Sequence, residues 1–158
     1  MQYARLTKEQ LEELHQEFIK FLATQSITAE EWKDIKTNKP HVAEEELDIF
    51  SDLVWERVLT NALFLEHVSP NQMHLFELKE NKMYLIAIKV EKEDIDITTK
   101  DGYTWLQNNL GNEQVVFFSA TKEYSDRPNS DKFKLIQQGA AITKGALYKW
   151  FSRFVEVK

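Results

Sequence analysis

Residues 70–90, PNQMHLFELKENKMYLIAIKV, read as two β-strands joined by a short polar turn. Upstream, from Thr7 to Val58, apolar residues recur at helical spacing instead. Helices followed by hairpin strands give an α+β fold, a small mixed sheet packed with about six helices. Within the hairpin, a three-residue loop Glu80-Asn81-Lys82 would place His74, Phe76 and Leu78 on one face with Tyr84, Ile86 and Ile88. That register collects the apolar side chains on one side, and a two-residue loop would split them.

Working toward the N-terminus, Phe64–Val68 is a further strand, joined to Met73–Lys79 through the turn Ser69-Pro70-Asn71-Gln72. Thr7 and Gln10 have capping-box spacing and open a first helix over 7–24; Thr28 and Glu31 open a second, ending before Pro40. A third helix runs from Val42 through Val58. Its Glu44, Asp48, Asp52 and Glu56 fall four apart and form one carboxylate stripe. Like charges at that spacing cost a few tenths of a kcal/mol each, so a bound cation or a basic partner would relieve them.

Toward the C-terminus, Thr98 or Thr99 caps a helix that ends at Gly111, and Val115–Phe118 is a buried strand. A helix separates that strand from the hairpin, so it is the one strand that could pair in parallel. YSDRPNS (124–130) is a surface loop. Helices follow over 131–138 and from a cap at Thr143, with Ile142 and Leu147 placed as a hydrophobic staple. One domain over 1–158 is expected, with a helical 1–62, a sheet with crossover helix over 63–122, and helices over 130–158.

The 158 residues are 42% hydrophobic and 29% charged, with 4 Gly, 3 Pro and no Cys. Disorder, a disulfide scaffold and thiolate chemistry are thereby excluded. The start, MQYARLTKEQ, has no apolar signal core and no run approaches a membrane span, so a cytoplasmic protein with no membrane partner is expected. Net charge is −6, which opposes nucleic acid binding overall. The charge is uneven: residues 1–130 hold 14 Lys/Arg against 24 Asp/Glu, and residues 131–158 hold 6 against 2. Lys144, Lys149, Arg153 and Lys158 interleave with Tyr148, Trp150, Phe151 and Phe154, a patch suited to an anionic partner or to single-stranded RNA.

If Pro70-Asn71 centres its turn, His67 falls opposite His74. Two imidazoles so placed could share a divalent metal with Asp48 and Asp52 of the stripe. Asp94-x-Asp96-x-Thr98 begins like a calcium loop but lacks its glycine and its bidentate Glu. The glycines and Thr-Lys of residues 139–145 stand in the wrong order for a P-loop.

From residue 42 the order is helix, three antiparallel strands, helix, strand. It resembles the restriction-endonuclease-like nuclease core, in which Pro-Asp and Asp/Glu-x-Lys hold Mg²⁺ and orient the attacking water. Pro70-Asn71 and Ala87-Ile88-Lys89 occupy those places here, and both carboxylates are missing. LTKEQLEELHQEFIKFLATQSITAEEW (6–32), FSDLVWE (50–56), QMHLF (72–76), LIAIKV (85–90) and KFKLIQQGAAITKGALY (132–148) resemble, over nearly the full length, a family of small uncharacterised bacterial proteins, a domain of unknown function. The expectation is a binding or protein-interaction module without a cofactor or catalysis, working with a protein partner or as a homo-oligomer. The alternative is a divergent metal-dependent hydrolase with its site at His67 and His74.

Overall fold

The computed structural model describes residues 1–156. The chain divides into two compact units, Met1–Thr60 and the segment from Asn61 onward. Four helices build the first: α1 (Lys8–Glu13), α2 (His15–Thr24), α3 (Ala29–Asn38) and α4 (Pro40–Asn61). Thr7 caps α1 reciprocally, with Gln10 N donating to Thr7 Oγ1 at 3.2 Å and Thr7 N donating to Gln10 Oε1 at 2.9 Å. The single helix expected over 7–24 is two. Leu14 leaves helical geometry at φ −98, ψ 22, although the bonds Leu14 N to Gln10 O and Phe18 N to Leu14 O carry the ladder through. α4 starts at Pro40 because the first helical position needs no N–H.

The core of this unit is Leu6, Phe18, Leu22 and Phe50. Trp32 and Phe50 both meet the Phe18 ring edge-on, at 5.1 and 5.0 Å. Ser51 is fully buried in α4 and satisfied, since its hydroxyl donates to Leu47 O at 2.7 Å and accepts from Leu6 N at 3.0 Å.

The second unit holds β1 (Phe64–Ser69), β2 (Gln72–Leu78), β3 (Lys82–Val90), α5 (Lys100–Asn108), β4 (Val115–Glu123), α6 (Pro128–Gln137), β5 (Ala141–Thr143) and α7 (Ala146–Phe151). The α+β class stands, with seven helices among the described residues. The sheet order is β4-β3-β2-β1-β5, and every pairing is antiparallel. The expected parallel strand therefore corrects to antiparallel. Val115 enters β4 opposite Val90, at the end where the chain left β3. A nine-residue α5 advances about 13 Å, whereas returning to the start of the nine-residue β3 requires about 30 Å.

The hairpin register also differs from expectation. Leu78 pairs with Met83, Phe76 with Leu85 and His74 with Ala87, and Lys79 N donates to Lys82 O across a two-residue Glu80-Asn81 turn. Gathering all apolar residues on one face was the wrong criterion, because both faces of this sheet are covered. Met73, Leu75, Ile86 and Ile88 pack with Leu106 of α5 and Phe151 of α7. Leu65, Leu78 and Met83 pack with Ala140 and, from α6, Leu135 and Ile136.

Near the C-terminus, residues expected to open the last helix instead form a strand. Ile142 pairs with Leu65, and Gly145 at φ 83 precedes α7. A Cβ on Gly145 would lie 2.5 Å from the Phe64 ring, so the position excludes any other residue by space as well as by backbone. α6 begins at Pro128, inside the expected surface loop, where Ser125 N and Oγ both donate to Asp131 and fix the approach to the helix. No helix among the described residues is long and apolar enough to cross a membrane.

Candidate functional site

The carboxylate stripe of α4 is met by the chain's own first residues. Arg5 Nε donates to Asp48 Oδ1 at 2.7 Å, Gln2 N and Tyr3 N donate to the two oxygens of Asp52 at 2.7 and 2.8 Å, and the Tyr3 hydroxyl donates to Glu56. The Arg5 hydrogen bond holds the Asp48 carboxyl below its ordinary pKa. Asp48 and Asp52, read from sequence as metal ligands, are thus engaged within the N-terminal unit. Among the described residues no group of three or more His, Asp or Glu is arranged to hold a metal.

His67 and His74 do pair across β1 and β2, as the turn at Pro70-Asn71 requires. Burial, and then the neighbouring His67, push the His74 pKa below its ordinary value. His67 is pressed against Gly139, where the backbone has φ 117 and a Cβ would come 2.8 Å from His67 Nε2. This end of the hairpin therefore presents two close-set imidazoles. At the positions that match the nuclease core, Ala87 faces His74 across the sheet and Lys89 is exposed, while the Asn71 carbonyl accepts from Val90 N at 2.8 Å. None of these groups supplies an anion for Mg²⁺.

A cleft of about 740 Å³ lies beside Pro70 and Asn71, and the 91–96 loop lines it. Two of that loop's carboxylates are already occupied: Asp94 pairs with Lys92 at 3.1 Å, and Asp96 Oδ1 accepts from Thr98 N at 2.9 Å.

At the C-terminus, Lys144 stands exposed between β5 and α7. Lys149 lies over the Phe64 ring at 5.1 Å, and Arg153 over the Trp150 and Phe154 rings at 5.7 and 5.2 Å. None of the three pairs with a carboxylate among the described residues. Tyr148 and Phe151 are buried, whereas Phe154 is exposed. The fourth basic residue of the patch, Lys158, lies outside the described residues.

Lys149 also borders a cleft of about 410 Å³ with Glu77, Lys79, Tyr84, Tyr148 and Ser152. Glu77 and Tyr84 are cross-strand partners in the observed register. Tyr148 is only 6% exposed, and burial, then Glu77 and Tyr84, push its phenol up to about 12. Lys79 Nζ stands 3.5 Å from Glu77 Oε2. Sequence reading missed this cleft because the Glu77–Tyr84 pairing depends on the hairpin register; the one available signal was the Tyr148/Ser152 spacing of four.

No curated protein and no solved structure matches the chain. A family model described as a family of unknown function (DUF6495) matches residues 1–156, and the chain belongs to that family.

Proposed function

We propose that this protein is a noncatalytic cytoplasmic binding module that takes an acidic protein segment on its C-terminal basic strip, Lys144, Lys149 and Arg153. One contrast carries the reading. Asp48, Asp52 and Glu56 of the acidic face of α4 are met by residues 2–5, while Lys149 and Arg153 of the basic strip meet aromatic rings and no carboxylate among the described residues. A cation resting on a ring keeps its N–H donors available for an incoming oxyanion. Because the strip is exposed, binding should weaken steeply as salt screens it.

The test is fluorescence anisotropy with a labelled Asp/Glu-rich peptide and a labelled oligouridylate, each titrated at low and at physiological salt. Peptide binding that is lost in a Lys149→Glu/Arg153→Glu variant supports the reading. Binding of the oligouridylate alone would reassign the partner to RNA, and no binding of either at low salt would remove the strip as a site.

The alternative, a divergent metal-dependent hydrolase, draws on the His67–His74 pairing. Zinc titration followed by thermal melting separates the two. A saturable rise in Tm that disappears in His74→Ala would favour the hydrolase, and an unchanged wild-type Tm would leave the binding module.

A further inference from the structure

We infer that the cleft formed by Glu77, Lys79, Tyr84, Tyr148, Lys149 and Ser152 is a binding site for a small hydroxylated organic anion. Its volume of about 410 Å³ falls at the small end of the range usual for ligand clefts, roughly 300–1,000 Å³. Its lining carries two ammoniums against one carboxylate, so the local charge favours an oxyanion. Tyr148, like any tyrosine, is protonated at neutral pH, so its hydroxyl is available as a donor at the cleft.

Glu77 supplies the opposite chemistry. Its contact with Lys79 at 3.5 Å is longer than a direct charge-assisted bond of about 2.7–2.9 Å, so lone pairs remain for ligand hydroxyls. The ligand therefore needs an oxyanion head for Lys79, Lys149 and Tyr148, and hydroxyls for Glu77. The rings of Tyr84 and Tyr148 offer apolar walls to the body between them.

The frame is built before the ligand arrives. Glu77 and Tyr84 are set by the β2–β3 pairing, and Tyr148 is wedged 5.8 Å from the Phe64 ring. Lys79 and Lys149 are the long, adaptable members and would settle on the anion. A phosphate and a carboxylate head satisfy this arrangement alike.

Isothermal titration with glucose 6-phosphate, gluconate and glucose tests the site and separates the heads. Saturable binding of either anion with none of glucose is the expected result; whichever anion binds identifies the head. Tyr148→Phe should weaken that binding about two- to tenfold, the effect of one hydrogen bond. Lys149→Gln should weaken it about tenfold or more, as a charge-assisted contact. Lys144→Glu/Arg153→Glu should leave it unchanged while abolishing binding of the acidic peptide, so this site and the basic strip can fail separately. Absence of saturable binding by both anions overturns the inference. So does equal binding of glucose, or affinity unaltered in both Tyr148→Phe and Lys149→Gln with melting curves like wild type.

Discussion

The acidic stripe on α4 and the basic strip around α7 accommodate their charge differently. Along α4 the carboxylates fall four apart, and three of them, Asp48, Asp52 and Glu56, are met by Arg5, by two backbone amides and by the Tyr3 hydroxyl. Beside α7 the cations rest on aromatic faces. Carboxylates accept hydrogen bonds, so a passing segment of backbone can saturate them. Ammonium and guanidinium groups laid on a ring keep their donors, so they remain competent to bind. A conspicuous charge pattern is thus a weak guide to a docking face until its internal partners are known.

The strongest way to break the contrast is to remove the anchor beneath the basic strip. Phe151 is fully buried and touches both Tyr103 and Trp150, so Phe151→Ala should cost about 3–5 kcal/mol in chemical denaturation. Next comes the anchor of the N-terminal segment. Asp52→Ala deprives two amides of their shared acceptor and should cost about 1 kcal/mol, with faster amide exchange confined to residues 2–5.

Acid should separate the two units further. His74 is held below the ordinary His pKa, so the unfolded chain binds that proton first, and the C-terminal unit loses stability as pH falls below about 6.5. Asp48 is held below its ordinary value, so its contribution is complete above about 3.9 and is lost only as pH falls from there. Amide exchange followed across that range should show the sheet weakening before the residue 2–5 clamp, and His74→Leu should remove the earlier phase. The smallest stability effects belong to exposed cations. Arg5→Ala and Arg153→Ala should each change stability by less than about 1 kcal/mol, yet only Arg153→Ala should weaken acidic-peptide binding.

Thr7, Thr28 and Thr99 all act as the helix caps their spacing suggested, and Pro70-Asn71 turns the chain so that His67 meets His74. These features were legible because each rests on residues within a few positions of one another. The hairpin register was not. Leu78 is expected from the sequence to share a face with Tyr84, Ile86 and Ile88, whereas it pairs with Met83, and only the cover from Leu135 and Ile136 makes that face a second interior. Of the candidate site residues, the basic strip is exposed as expected, while Asp48 and Asp52 look available in sequence and are engaged by residues more than forty positions earlier.

By itself the sequence determined the α+β class, the caps at Thr7, Thr28 and Thr99, and the first three strands to within a residue or so, because dihedral preference, capping and periodicity act over one or two turns of chain. Tertiary structure alone decided that β4 runs antiparallel, that Ala141–Thr143 becomes an edge strand, that Asp48, Asp52 and Glu56 of the acidic stripe are met from within, and that Glu77 and Tyr84 meet Tyr148 at a cleft. Each of these depends on which distant surfaces bury one another, and burial is a property of the assembled layers rather than of any local stretch of chain.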